Sequence, residues 1–445
     1  MEYSDRASLE ELDFPNGPLE ADSPLYVLRS PLEETACQKL LEPGSLLQVQ
    51  GRRYMGKCSF LNHVTGYGKN QGYWSVTVNF QDAPSTVLND LGSFLRWFSL
   101  TVGHQLRLKN RLESYGLSES FDGQTCSEYF ETYLLPASSF PIILVLKELD
   151  YLFTHPAIAP AFFELLHSWH QKAQNNDTWS NLRLVFVHAT SAVPLLYSSA
   201  PQFQTDAPLV LSEFSLAQTQ QLASRYGLEW AFDDVKAQRL VSLLNMVGGS
   251  PYRLAIAFYG LRVGELSLSE IMQIADEPNT IYGPHLQRLE RRLAQKPYLK
   301  TVFTKVMRAN DWVEIDTADA YQLEKLGLAV FNGTAVRTSC MLYQRYFETR
   351  LSEPKDPASV RRHSLEAEHI TLQDLARTPD AALERSSKDH PLPSDTLCDL
   401  AELPIVEPSL PTAQDENLPP KPLLGGRYYL QAQLGSGGFG ETFLA

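Results

Sequence analysis

"QVQGRRYMGKCSFLNHV", Gln48 to Val64, decides how the chain is read. Gly51 is followed by four residues and then by Gly56-Lys57, the frame G-x-x-x-x-G-K-[ST] of a phosphate-binding loop with Cys58 in its last position. In such a loop glycines let backbone N–H groups turn inward on phosphates. The lysine neutralises their charge, and the Ser or Thr hydroxyl ligates Mg²⁺. A strand-like run, 46–50, precedes the loop and a helical pattern follows it. A plain strand-to-helix turn carrying a surface lysine is the competing reading. Cys58 is a departure, because a thiol is a poor partner for a hard cation that prefers oxygen. Ser59 follows, but on a helix it points about 100° away.

The partner of such a loop is an apolar strand ending in acidic residues, and "PIILVLKELD", Pro141 to Asp150, fits. An Asp-Glu ending would hold Mg²⁺ and polarise the attacking water. Here Lys147-Glu148 stands in its place. A unit charge about 4 Å from a divalent ion is repelled by roughly 8 kcal/mol at an effective dielectric of about 20, so the two protein contacts to magnesium look lost together. Asp150 lies too far beyond the strand end to replace the missing acid. Glu148 is the residual acid, the one candidate catalytic residue. Either Lys147 takes over the ion's electrostatic work on the phosphates, or the site has decayed and Lys147 faces solvent.

Around this centre the 445 residues have an ordinary globular composition, with 43% apolar and 20% charged residues. The net charge of -14 argues against a chain that coats nucleic acid or anionic membrane over its whole surface. The five cysteines have no metal-ligand or C-x-x-C spacing and read as reduced thiols in a cytoplasmic protein. No metal site is expected. The acidic start MEYSDRASLEELDF is no secretory signal, and no apolar stretch reaches the length of a membrane span.

Strand-like runs at 46–50, 74–80, 142–146 and 182–188 alternate with helical patterns such as 87–101 and 161–174. This predicts α/β, a P-loop parallel sheet with right-handed crossovers over 24–211, after a polar leader at 1–23. From 212 to 283 the pattern is helical and reads as a lid. Ser215 and Gln218 form a capping-box signature, Gly248-Gly249 ends a helix, and Pro251 opens the next. Residues 284–352 combine helices with a hairpin turning at Asn332-Gly333 and read as a winged-helix domain. The stretch 353–424, rich in Pro, Ser, Asp and Glu, reads as a disordered linker.

With these motifs in hand, the region from about 24 to 350 resembles the AAA-like domain of many cyanobacterial signalling proteins, a relative of the AAA+ and STAND nucleotide switches. "SPLYVLRSPLEETACQKLLEPGSLLQVQGRRYMGKCSFLNHV", "FLRWFSLTVGHQL", "YFETYLLP", "PIILVLKELDYLF", "LLHSWHQKA", "NLRLVFVHAT" and "VGGSPYRLA" carry the likeness. The family's loop is similar to P-R-Q-M-G-K-[TS]-S-L and its acidic strand to D-E-x-D, so Cys58 and Lys147 are this chain's departures. The resemblance implies ATP or ADP as ligand, with Mg²⁺ not bound in the usual way. It also implies that His188 and Thr190 sense the γ-phosphate, and that Gly249-Ser250-Pro251 faces the adenine. Arg288, Arg291 and Arg292 form a basic helical face: a phosphate sensor, a nucleic-acid contact or a solvated surface.

The tail "LLGGRYYLQAQLGSGGFGETFLA", 425–445, resembles the first two strands of a serine/threonine kinase domain. Gly435, Gly437 and Gly440 make its G-x-G-x-x-G loop over ATP phosphates. Everything catalytic is missing from this two-strand kinase stub. The function expected is a nucleotide-binding regulatory module of STAND type controlling a fused or separate kinase, with an active ATPase and a winged-helix DNA-binding regulator as alternatives. Nucleic acid and membrane are not expected as partners, and oligomeric state is left open.

Overall fold

The computed structural model describes residues 13–115, 121–189, 207–232, 234–264, 267–309, 311–332, 335–351, 432–437 and 440–444, with 234–237 and the last two segments described by backbone alone. Helix α1 (Leu32–Leu41) leads into β1 (Leu46–Gln50) and, through the phosphate loop, into α2 (Lys57–Asn70). Then come β2 (Trp74–Asn79), α3 (Leu91–Gln105), α4 (Gly123–Tyr129), a π-helical turn over Phe130–Leu134, and β3 (Ile142–Lys147). Next, α5 (Ala159–Ala173) and the short α6 (Asp177–Ser180) lead to β4 (Leu182–His188), and β5 (Leu209–Val210) closes the sheet.

All five strands are parallel, in the order β2-β3-β4-β1-β5. The three inner strands, β1, β3 and β4, are buried on both faces because both faces are covered. Ile142, Leu144 and Leu146 point into the core under α3, α4 and α5, while Ile143 and Val145 point into the core under α1 and α2. Four strands match the sequence reading. The fifth, β5, has two residues, too few to show a pattern. At the β2 edge the Gln105 amide donates to the Thr77 carbonyl at 2.6 Å and accepts from the Thr77 N–H at 2.9 Å, which blunts an open edge.

Interposing β4 between β1 and β3 sets the site. Gln50 lies opposite His188 and Asn79 opposite Lys147, so the strand ends that carry the phosphate loop, His188 and Lys147-Glu148 open on one crevice. In an open α/β sheet that crevice is where ligands bind.

The rest is helical: α7 (Leu216–Arg225), α8 (Asp234–Val247), α9 (Pro251–Val263), α10 (Leu268–Ile274), α11 (Gly283–Ala294), α12 (Pro297–Ala309) and α13 (Thr317–Leu326). A hairpin of β6 (Ala329–Phe331) and β7 (Val336–Thr338) and a last helix, α14 (Met341–Leu351), follow. The capping box at Ser215 and Gln218 forms in full, and Pro251 opens α9 as expected. Residues 212–351 share one core, in which Phe214, Leu240, Leu254, Leu286, Phe303 and Phe347 join. The regions read from the sequence as lid and winged helix are therefore packed as one body.

Residues 14–21 do not behave as a leader. Phe14 packs edge-on against Tyr259, the Leu19 N–H donates to Ser59 Oγ at 2.9 Å, and Asn62 donates to the Leu19 carbonyl at 2.9 Å. The linker 353–424, the turn residue Gly333 and Thr190 lie outside the described residues. The C-terminal strands β8 (Ala432–Gly437) and β9 (Gly440–Leu444) belong to a separate unit and pair antiparallel, with Gly437 opposite Gly440.

Gly248 has φ +71°, and a Cβ there would sit 2.8 Å from the Ser339 carbonyl. Gly248→Ala is expected to destabilise the fold by about 1–3 kcal/mol. Gly123→Ala, whose new Cβ would meet only Leu165 at 3.6 Å, should stay near neutral. Urea denaturation of the two variants checks this; equal midpoints would refute it.

Candidate functional site

The phosphate loop takes its form from two left-handed residues. Gly56, φ +82°, caps α2 with no side-chain cap, so the first N–H groups of the helix remain available to an anion. Tyr54, φ +66°, pays for its strained backbone with tertiary contacts. Its carbonyl accepts from Ser250 Oγ at 2.9 Å, and its ring stacks on Tyr252 at 5.0 Å and meets His285 edge-on. Arg29 Nη2 donates to the Met55 carbonyl at 2.7 Å from beside Gly56.

Lys57 folds back over its own loop. Its Nζ donates to the Gly51 carbonyl at 2.6 Å and to the Arg52 carbonyl at 3.2 Å. Burial lowers its pKa, opposed by the charges of Glu148, Asp150 and Glu324. Gly51, Gly56, Lys57, Lys147, Glu148 and His188 are thus brought together.

Glu148 stands at φ +54° just past β3 and accepts from Gln81 Nε2 at 3.2 Å. Burial and the nearby Asp150 raise its pKa, against Lys57, Lys325 and Arg53. Lys147 is half-buried, so it does not simply face solvent. Burial lowers its pKa, while Glu148 and Asp82 raise it. His188 is 2% exposed, and its Nδ1 donates to the Ala189 carbonyl at 3.0 Å. That fixes the proton on Nδ1 and leaves Nε2 as an acceptor with no hydrogen-bond partner among the described residues. Burial lowers its pKa and holds it neutral.

One sequence-predicted position changes meaning. Ser59 is committed to Leu19 rather than to the crevice, because the next residue around the helix faces the N-terminal segment. Cys37, Cys126 and Cys340 are free thiols. Cys58 stands in the first turn of α2, and its sulfur is no ligand for magnesium. Among the described residues no group of three or more His, Cys, Asp or Glu can hold a metal ion. A thiol at 58 and an ammonium at 147 suit magnesium poorly, whereas the loop, the bare helix end and Lys57 suit a phosphate.

Asp150 is the main surprise. It is 1% exposed, Tyr321 of α13 donates to its Oδ2, and Oδ1 has no hydrogen-bond partner among the described residues. Around it, α13 and the turn after it grip the loop as well. Arg53 Nη1 donates to the Lys325 carbonyl at 3.0 Å, Lys325 Nζ lies 5.0 Å from the Tyr151 ring, and Tyr54 packs against Gly327. No spacing rule links Asp150 to Tyr321 or Arg53 to Lys325, and only the folded chain reveals them. Pro251 opens α9 directly behind Ser250, which anchors Tyr54. Of the basic face on α11, Arg291 is exposed and Arg288 and Arg292 are half-buried; burial, and then the charges of Arg253, Arg288, Arg53 and Arg292, hold the pKa of the buried His285 down.

A profile of the AAA-like domain matches residues 14–349. Among solved structures, the Walker-type ATPase PABY2304 of Pyrococcus abyssi superposes with a TM-score of 0.50 at 13% identity, covering 77% of this chain and 100% of that one. The Aeropyrum pernix ORC2 protein in its ADPNP–ADP complexes gives 0.45 at 13% identity, covering 76% of this chain and 97% of that one. No curated protein matches. At such identity the first likeness speaks for the fold alone, and it agrees with the sheet and loop described above. By a match that runs from the packed N-terminal segment to α14, this chain belongs to the AAA-like domain family.

Proposed function

We propose that the chain is a nucleotide-responsive regulatory module, a STAND-type switch that binds ATP or ADP without turning it over and transmits its state to a kinase domain in a longer protein. One observation carries the reading: α13, far along the chain, holds the acidic loop through Tyr321–Asp150 and the phosphate loop through Lys325–Arg53. A ligand that reshapes either loop has to act on α13, and through the shared core on everything from 212 to 351. The ligand's phosphates lie on the N–H groups of Gly51, Gly56 and the start of α2, with Lys57 released from its carbonyls to meet them. Lys147 adds charge from the β3 end. The glycine-rich tail with Gly435, Gly437 and Gly440 supports a kinase as the output.

A DNA-binding winged helix is disfavoured, because Tyr321, Leu323 and Glu324 of α13 are buried against the protein. A slow ATPase has one feature in its favour, the buried Asp150 carboxylate among the neighbours of Lys57 and His188.

Thermal stabilisation by ATP and ADP should appear without Mg²⁺ and change little on adding it, with or without reductant. Lys57→Ala should weaken binding by about 1.5–3 kcal/mol, roughly ten- to a hundredfold. A shift that requires Mg²⁺, or phosphate release that Lys57→Ala abolishes, would reject this reading in favour of the ATPase.

Only the charged Lys57 grips phosphate, and burial holds its pKa below the ordinary lysine value. Nucleotide affinity should therefore fall as pH rises through that lowered pKa, before an exposed lysine would titrate. Calorimetry across pH checks it; an equally steep decline in Lys57→Ala would count against it.

Tyr321→Phe removes the hydrogen bond to a charged acceptor and should speed release of a fluorescent ADP analogue several-fold, up to about tenfold. Unchanged release in stopped-flow would show that α13 does not govern the site.

A further inference from the structure

On the face of the sheet away from α2, a cavity of about 600 Å³ opens between α3, α4 with its π-helical extension, and α5. Its volume is in the range of ligand sites, yet it is elongated. The lining positions on α5 run from Ala161 to Lys172, about 16 Å along the helix, and those on the facing helix run from Gly123 to Thr132. A trough between two helices of that length matches about three turns of a third.

The trough has an apolar floor and an acidic rim. Leu95 and Leu165 are buried in the core beneath it, with Leu91 half-buried beside them. Glu128, Glu131 and Glu164 stand on the rim, against Lys172 as the lining's cation. Glu131 is matched by Lys172 at 3.5 Å. Glu128 and Glu164 are exposed and make no side-chain hydrogen bond or ion pair among the described residues. One wall, Phe130–Leu134, is a π-helix, a rare form found frequently at functional sites. It sets Glu131 and Thr132 on the trough. Neither the phosphate loop nor α13 uses this surface.

We propose that this trough is a docking site for a basic amphipathic helix of a partner protein, with leucine-like side chains on the floor and lysines or arginines between Glu128 and Glu164. Two unmatched carboxylates flanking apolar ground favour a cationic guest over a neutral or acidic one. This holds whether or not the chain binds nucleotide.

The probe is a fluorescein-labelled helical peptide with a leucine face and a lysine face, titrated with the full chain in fluorescence anisotropy. Saturable binding that weakens with salt is expected. Glu128→Lys with Glu164→Lys should weaken it about tenfold, and Glu128→Gln with Glu164→Gln less. Glu42→Lys with Glu314→Lys, an equal change of net charge at exposed sites elsewhere, should leave it within about twofold. The peptide remade with glutamates should not bind. Sedimentation velocity on the same samples reads whether a second copy occupies the trough instead. The proposal is overturned by no saturable binding, by equal affinity in the groove and control variants, by binding of the acidic peptide, or by a self-association that the groove variants abolish. A fold intact by circular dichroism in all variants is part of the expected result, since every substituted side chain lies on the surface.

Discussion

The ammonium of Lys57 is the charge on which the site turns. It sits where burial disfavours it, so it must find oxygen, and in this structure the oxygens are the carbonyls of Gly51 and Arg52. Around it lie three carboxylates, from Glu148 and Asp150 on the acidic loop and Glu324 on α13. An entering phosphate brings more negative charge to the same ammonium. It competes with the carbonyls for hydrogen bonds and with the carboxylates for the field. In the proposed reading that competition would link occupancy of the loop to the position of α13 by electrostatics.

The two departures at 58 and 147 follow the same logic. A cation at 147 beside a divalent ion would be strongly repelled. Beside phosphates it is welcome, and between ligands it is balanced by Glu148 and Asp82. Glu148 is less ready to ionise than an ordinary glutamate because it is buried and shares its surroundings with Asp150. The acidic loop of this chain balances a lysine.

The sequence was most informative where periodicity and local chemistry agree. The run before Gly51 and the run ending at His188 appear as strands with the bounds read from the residues, because strands buried on both faces are continuous apolar segments. The capping box at Ser215 and the helix opening at Pro251 are local rules obeyed locally. Contacts made across distance were not legible. Asp150 was set aside for lying beyond the strand end, yet a tyrosine 171 positions later makes it a fixed part of the site. Residues 14–21 read as polar leader because their packing partners, Ser59, Asn62 and Tyr259, belong to other elements. Nor did spacing announce that one core would join the lid to the module after it.

Among the described residues three non-glycine positions are held at positive φ, and two of them, Tyr54 and Glu148, lie on the two loops that α13 grips. A left-handed side-chain-bearing residue costs about 1–3 kcal/mol and persists only where its surroundings over-determine it. For Tyr54 the determinants are Ser250, Tyr252, His285 and Gly327, all from the helical body. For Glu148 they are Gln81 and, two residues on, the Tyr321–Asp150 contact. Strain at both loops is thus held in place by the same body. A shift of α13 would release it at both, and relaxation at either would loosen α13. Such reciprocity is what a two-state element requires, and in the proposed reading the switch would lie at the junction between sheet and helical body.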